Sequence, residues 1–123
     1  ISKVIKMQED LFLKAEQEMK ELRNPYVGTE HYFLAFLKNN DLKTINYDTF
    51  KRTIKKVIGS CYKETEYVLY TPYLRKLKNS SNNDLDNVLE ILRNTDSIVY
   101  NILISEKYNI EDIFEEIKNT YKG

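Results

Sequence analysis

Residues 24 to 39 read NPYVGTEHYFLAFLKN and hold the chain's one histidine, His31, directly after Thr29 and Glu30. An imidazole beside a carboxylate suits proton transfer, metal ligation or recognition of a charged group. A metal would need at least three protein ligands, and neither a second histidine nor a cysteine pair exists. Catalysis would need a nucleophile aligned with His31, and no motif supplies one. Two readings remain. In the first, Thr29 caps a helix, Glu30 complements the helix dipole, and His31 packs at the helix start with one ring nitrogen bonded. In the second, Glu30 is a ligand-binding carboxylate. Neither reading calls for a metal or a cofactor.

Other reactive or adhesive residues are few. Cys61 has no flanking helix start or basic cluster, and reads as an inert, partly buried thiol. Tyr62, Tyr67, Tyr70 and Tyr73 cluster in the middle of the chain. Tyrosine gives large contact area at low entropy cost, so these are candidate polypeptide contacts; the alternative is that they fill core edges. KRTIKK (51 to 56) suits a solvated basic face or a docking face for an acidic partner, with Ile54 and Val57 turned inward. EDIFEE (111 to 116) reads as a solvated acidic face.

These residues need elements to position them. The 123 residues suffice for one domain with one core, and few Gly and Pro favour long helices with short connections. Apolar periodicity predicts helices over 3 to 22, 29 to 39, 48 to 58, 72 to 78, 84 to 93, 96 to 107 and 110 to 121. Asp48, Thr71, Thr95 or Asp96, and Asn109 are the expected caps, with Gly59 ending the third helix. EHYFLAFLKN is apolar on most faces and should be the central buried helix. The segment from 60 to 70 reads as an extended connector. The fold class is all-α, a bundle of about six or seven helices.

GTEHYFLAFLKN (28 to 39) and NDLDNVLEILRN (83 to 94) align without gaps, and each precedes a loop and a similar helix. This predicts two diverged copies of one helical unit, about 3 to 59 and about 70 to 121, packed with pseudo-two-fold symmetry in one domain, 1 to 123. Formal net charge is zero, which gives no general pull toward nucleic acid or anionic membrane. No apolar run is long enough to span a bilayer, and no signal peptide is visible. The lone cysteine fits a reducing, cytoplasmic setting. The chain starts at Ile1 rather than Met, so its natural start is expected to lie elsewhere.

NPYVGTEHYFLAFL resembles the Gly-Thr-Glu-His signature of the Clp N-terminal domain, the substrate- and adaptor-binding domain at the front of ClpA- and ClpC-type AAA+ unfoldases. VLYTPYLRKL resembles the family's Tyr-Thr-Pro that opens a second repeat. EILRNTDSIVYNILISEKYNIEDIFEEI resembles the closing helix pair. The ordered set spans nearly the whole chain. In ClpC-like relatives the glutamates of two Thr-Glu-His motifs help bind phosphorylated arginine. Here only Glu30 matches: the second repeat holds Asp84, Leu85 and Asp86, and Ile5 stands where a threonine is expected. The first repeat is also short between Lys38 and Asp48.

The resemblance implies a non-catalytic module that docks substrate polypeptide or an adaptor. It would serve an AAA+ ATPase domain in the same or another chain. The motor is not in these residues, for no G-x-x-x-x-G-K-[ST] occurs. The expected contact residues are Thr29, Glu30, Tyr67, Tyr70 and Tyr73. The alternatives are a stand-alone helical regulator or adaptor and, against the neutral net charge, a nucleic-acid-binding domain using TFKRTIKK.

Overall fold

A computed structural model describes residues 3–4, 10–59 and 67–122. Among them are seven helices: α1 (Leu11–Leu22), α2 (Thr29–Asn39), α3 (Tyr47–Val57), α4 (Pro72–Lys78), α5 (Asp84–Arg93), α6 (Ile98–Ser105) and α7 (Ile110–Thr120). The chain is all-α, and its helices pack on one another. Two-residue strands β1 (Lys3–Val4) and β2 (Tyr121–Lys122) pair in parallel and bring the two ends of the described chain together.

Local chemistry sets most boundaries. Asp10 starts α1 by accepting from the Phe12 amide at 2.8 Å. The helix therefore begins at Leu11, although Val4 lies in phase with the apolar stripe and suggests an earlier start. Val4 instead belongs to β1. Asn46, not Asp48, caps α3, accepting from the Thr49 amide. Ile58 ends α3, and Gly59 follows it with φ +79°, the left-handed conformation that glycine adopts without a Cβ clash. Thr71 caps α4 with Pro72 at its first position, and Asn109 caps α7, both as the sequence suggests. For α6 the cap is Ser97 rather than Thr95 or Asp96. Its hydroxyl accepts from the Tyr100 amide and donates to the Ile91 carbonyl at 2.8 Å, so capping also ties α6 to α5.

Every residue of α2 from Thr29 to Leu37 is buried, as its all-round apolar pattern demands. It lies against α1, α3, α5 and α6. Phe33 meets Phe50 of α3 edge-on at 5.3 Å, and Phe36 meets Tyr121 edge-on at 5.8 Å. Tyr32 packs against Phe12 at 4.7 Å, and its hydroxyl donates to Asp84 at the start of α5 at 2.6 Å. The loop between α2 and α3 is held from the far half of the chain. Glu116 of α7 accepts from the Lys43 amide at 2.6 Å, the Thr44 amide at 2.9 Å and the Thr44 hydroxyl at 2.6 Å. The Tyr121 hydroxyl donates to the Asp41 carbonyl. Part of the EDIFEE stretch thus does structural work rather than facing solvent alone.

The basic helix α3 is likewise less open than its sequence suggests. Lys51 reaches Glu18 at 3.0 Å and Glu21 at 2.8 Å on α1, and Lys56 pairs with Glu106 at 3.6 Å. Ile54 is buried, whereas Val57, expected to face inward, is about half exposed at 49%. It lies in the last turn of α3, beyond the part that meets the core.

Phe33 has no exposed surface and sits on both α2 and α3 packing. Phe33→Ala should lower unfolding free energy by about 3–5 kcal/mol, read as a shift of the urea midpoint with unchanged slope. A loss under about 1 kcal/mol would mean the core repacks freely around this site.

Candidate functional site

The turn between α1 and α2 shows what His31 does. Gly28, not Thr29, is the N-cap of α2, with extended backbone at φ −116°. Thr29 is the first helical residue. His31 Nδ1 accepts from the Gly28 amide at 2.9 Å, so the imidazole takes the part usually played by a capping-box Glu or Gln. That bond requires the proton on Nε2, which donates to Asn24 Oδ1 at 2.8 Å. Asn24 Nδ2 in turn donates to the Gly59 carbonyl at 2.9 Å. One buried chain of hydrogen bonds therefore joins the α1–α2 turn, the start of α2 and the end of α3. Both ring nitrogens are occupied, and burial lowers the imidazole pKa to about 3. His31 is a neutral structural histidine with no ring nitrogen left for a substrate or metal. Among the described residues no cluster of three or more His, Cys, Asp or Glu side chains could hold a metal.

Glu30 is also buried, 4% exposed. Its Oε1 has no hydrogen-bond partner among the described residues. Burial raises its pKa to about 7, against the opposing pull of its own backbone amide. Oε1 lies 3.9 Å from His31 Nδ1, but that nitrogen carries no proton, so this contact is no ion pair. Glycine at 28 is a matter of space here, since a Cβ would overlap Glu30 Oε1.

The expected contact residues do not form one continuous face. Thr29 and Tyr73 line a single small groove of about 290 Å³, completed by Thr71, Pro72, Asp96, Ser97 and Ile98. The groove lies where the N-terminal ends of α2, α4 and α6 meet. Tyr73 donates its hydroxyl to Glu90 at 2.8 Å, leaving one ring face for the groove. Tyr70 turns the other way, donating to Glu16 Oε2 on α1. Tyr67 is the most open of the set at 71% exposed. Tyr62 and Cys61 lie outside the described residues. The connector residues that are described are extended, as expected: Val27 and Tyr70 form a parallel bridge, with the Val27 amide donating to Leu69 and the Thr71 amide to Val27.

Sequence reasoning missed Ser97 and Ile98 as groove residues, because they belong to a different helix from Thr29. It also passed over Arg75 and Lys78, which line a second groove beside Tyr70. The signal was present: no acidic residue occurs between Glu66 and Asp84. A groove of about 600 Å³ lies between the end of α5 and the α6–α7 turn beside Tyr100, Ile104 and Tyr108. No helix among the described residues is long and apolar enough to cross a membrane. No family model and no curated protein matches the chain.

The two buried groups make opposite contributions on acidification. The folded-state pKa of His31 lies below its ordinary value, near 6.5, so the unfolded chain takes up more protons and stability falls between about pH 6.5 and 3. For Glu30 the folded pKa lies above the ordinary 4.5, so stability rises as pH falls from about 7 to 4.5. Glu30→Gln removes the second effect alone. The variant should gain stability over the parent above pH 7 and lose that advantage by about pH 4.5. Urea midpoints across this range check it; parallel pH profiles for the two proteins would contradict a raised Glu30 pKa.

Proposed function

We propose that this chain is a non-catalytic polypeptide-docking module, built like the Clp N-terminal domain it resembles, which presents substrate or an adaptor to an ATP-dependent unfoldase. The observation that carries this reading is the groove at Thr29. It gathers Thr71, Pro72, Tyr73 and Ile98 from separate segments around the very motif that bears the resemblance. Its open surface is mostly apolar, with the hydroxyls of Thr29, Thr71 and Ser97 and the carboxylate of Asp96 among its lining. That suits weak, tolerant contact with unfolded chain and offers no acid, base and nucleophile acting together.

His31 supports the same reading. In Thr-Glu-His, the histidine here organises the helix start, which leaves the neighbouring side chains to shape the surface. Glu30 is buried and does not line this groove. A direct role in holding a cationic or phosphorylated group would require its carboxylate to turn outward. The partner class we infer is a protein, either a substrate segment or an adaptor. Pairing of Lys51 with two α1 carboxylates weighs against a nucleic-acid face on α3.

Ile98 is 41% exposed at the first position of α6. Glu is well tolerated at such a position because the helix dipole favours it, so Ile98→Glu places charge in the groove with little effect on folding. Binding of a fluorescently labelled, permanently unfolded polypeptide should weaken by about tenfold, read by anisotropy, with a melting temperature near the parent's. Unchanged affinity would remove this groove as the docking site.

A further inference from the structure

Residues 67 to 83 contain Arg75, Lys76 and Lys78 and no acidic residue, a local excess in a chain of zero net charge. Three basic side chains elsewhere meet carboxylates: Lys51 with Glu18 and Glu21, Lys56 with Glu106, and Arg93 with Glu111. Arg75 and Lys76 make no ion pair among the described residues. Lys78 stands 4.6 Å over the Tyr70 ring, likewise without a carboxylate. Both Arg75 and Lys78 face a groove of about 460 Å³, whose other wall is the extended run Val68, Leu69 and Tyr70. Glu16 also lines it, its Oε2 accepting from the Tyr70 hydroxyl at 2.5 Å, so two cationic side chains stand against one carboxylate in this groove.

The backbone along this wall has an open edge. Leu69 and Thr71 spend their main-chain groups on Val27. The amide and carbonyl of Tyr70 therefore point the opposite way, and neither has a main-chain partner among the described residues. Two apolar side chains stand exposed on the same run, Leu69 at 46% and Tyr67 at 71%.

We propose that this groove binds an acidic polypeptide segment in an extended conformation. The inference rests on the polypeptide-docking reading above and adds to it a second groove, separate from the one at Thr29, with its own ligand chemistry. Main-chain bonds to Tyr70 would continue the pairing that Val27 begins on the other side. Ligand carboxylates would meet Arg75, whose planar fork suits them, and Lys78. Alternate apolar side chains would cover Leu69 and Tyr67. The charge is complementary to an acidic ligand. The open strand edge and the aliphatic Leu69 favour polypeptide over a phosphate backbone, which would need a longer cationic track.

The test uses two short labelled peptides, one alternating Glu with Val and one alternating Lys with Val, titrated by anisotropy at about 50 mM and about 300 mM salt. The acidic peptide should bind at least about tenfold more tightly, and higher salt should narrow the gap. Arg75→Glu with Lys78→Glu, both at exposed positions, should abolish or reverse the preference; Arg75→Gln should reduce it part way. Equal binding of the two peptides, or a preference that survives the reversal, overturns the proposal. So does tighter binding of a single-stranded oligonucleotide, or a dimer of this chain that the acidic peptide fails to displace. If the unfolded polypeptide still binds while the acidic peptide does not, this inference fails and the docking reading stands. If neither binds, both fail.

Discussion

A helix that is apolar on every side must be surrounded, and then its start cannot turn to water for its unpaired amides. That constraint, set by α2, governs much of this molecule. The first amides of a helix need acceptors, and a buried orphan donor is expensive, on the order of 1–3 kcal/mol. His31 resolves it from inside the helix by accepting from Gly28, and its other nitrogen commits Asn24 and through it Gly59. One neutral imidazole thus ties together the turn after α1, the start of α2 and the end of α3, while Glu30 occupies the space a side chain at position 28 would need.

The two halves of the chain are joined by more than the core. Tyr32 reaches Asp84, Glu116 collects the amides of the α2–α3 loop, and Tyr121 bonds to Asp41. Val27 pairs with the connector that leads into α4. These ties sit around the rim of the apolar centre and connect residues far apart in sequence. The short loop between α2 and α3 has no helix of its own to order it, and α7 supplies that order instead. Along one side the connector leaves Tyr67 and Leu69 exposed, and the basic helix it enters leaves Arg75, Lys76 and Lys78 without ion pairs among the described residues. Both grooves border this segment.

The contrast between Thr29 and Glu30 shows how little a motif says about which of its side chains meets a ligand. Thr29 lines a groove and Glu30, one residue on, does not, because successive helical positions turn by about a quarter of the circle. A carboxylate held near neutrality by burial is a support whose charge state responds to its surroundings. The groove beside Thr29 sets the apolar area of Pro72, Tyr73 and Ile98 beside hydroxyls and the one carboxylate of Asp96.

The sequence by itself determined the all-α class, the burial of α2 and most helix starts and stops. These depend on spacing between near neighbours, on small polar caps and on proline and glycine, all of which act over a few residues. Thr71, Asn109 and Gly59 were legible for that reason. Where a cap had competitors, as at Ser97 against Asp96 and Asn46 against Asp48, only packing chose among them, because the winning side chain also satisfied a distant group or faced the open side of the turn. The same holds for the site. Thr29, Glu30 and the tyrosines could be named from residue type, but whether Glu30 was exposed, and that Tyr73 would join Thr29 while Tyr70 turned toward Glu16, depended on contacts across the chain. Burial and charge pairing are properties of neighbours in space, and those neighbours come from helices whose mutual placement no local pattern encodes.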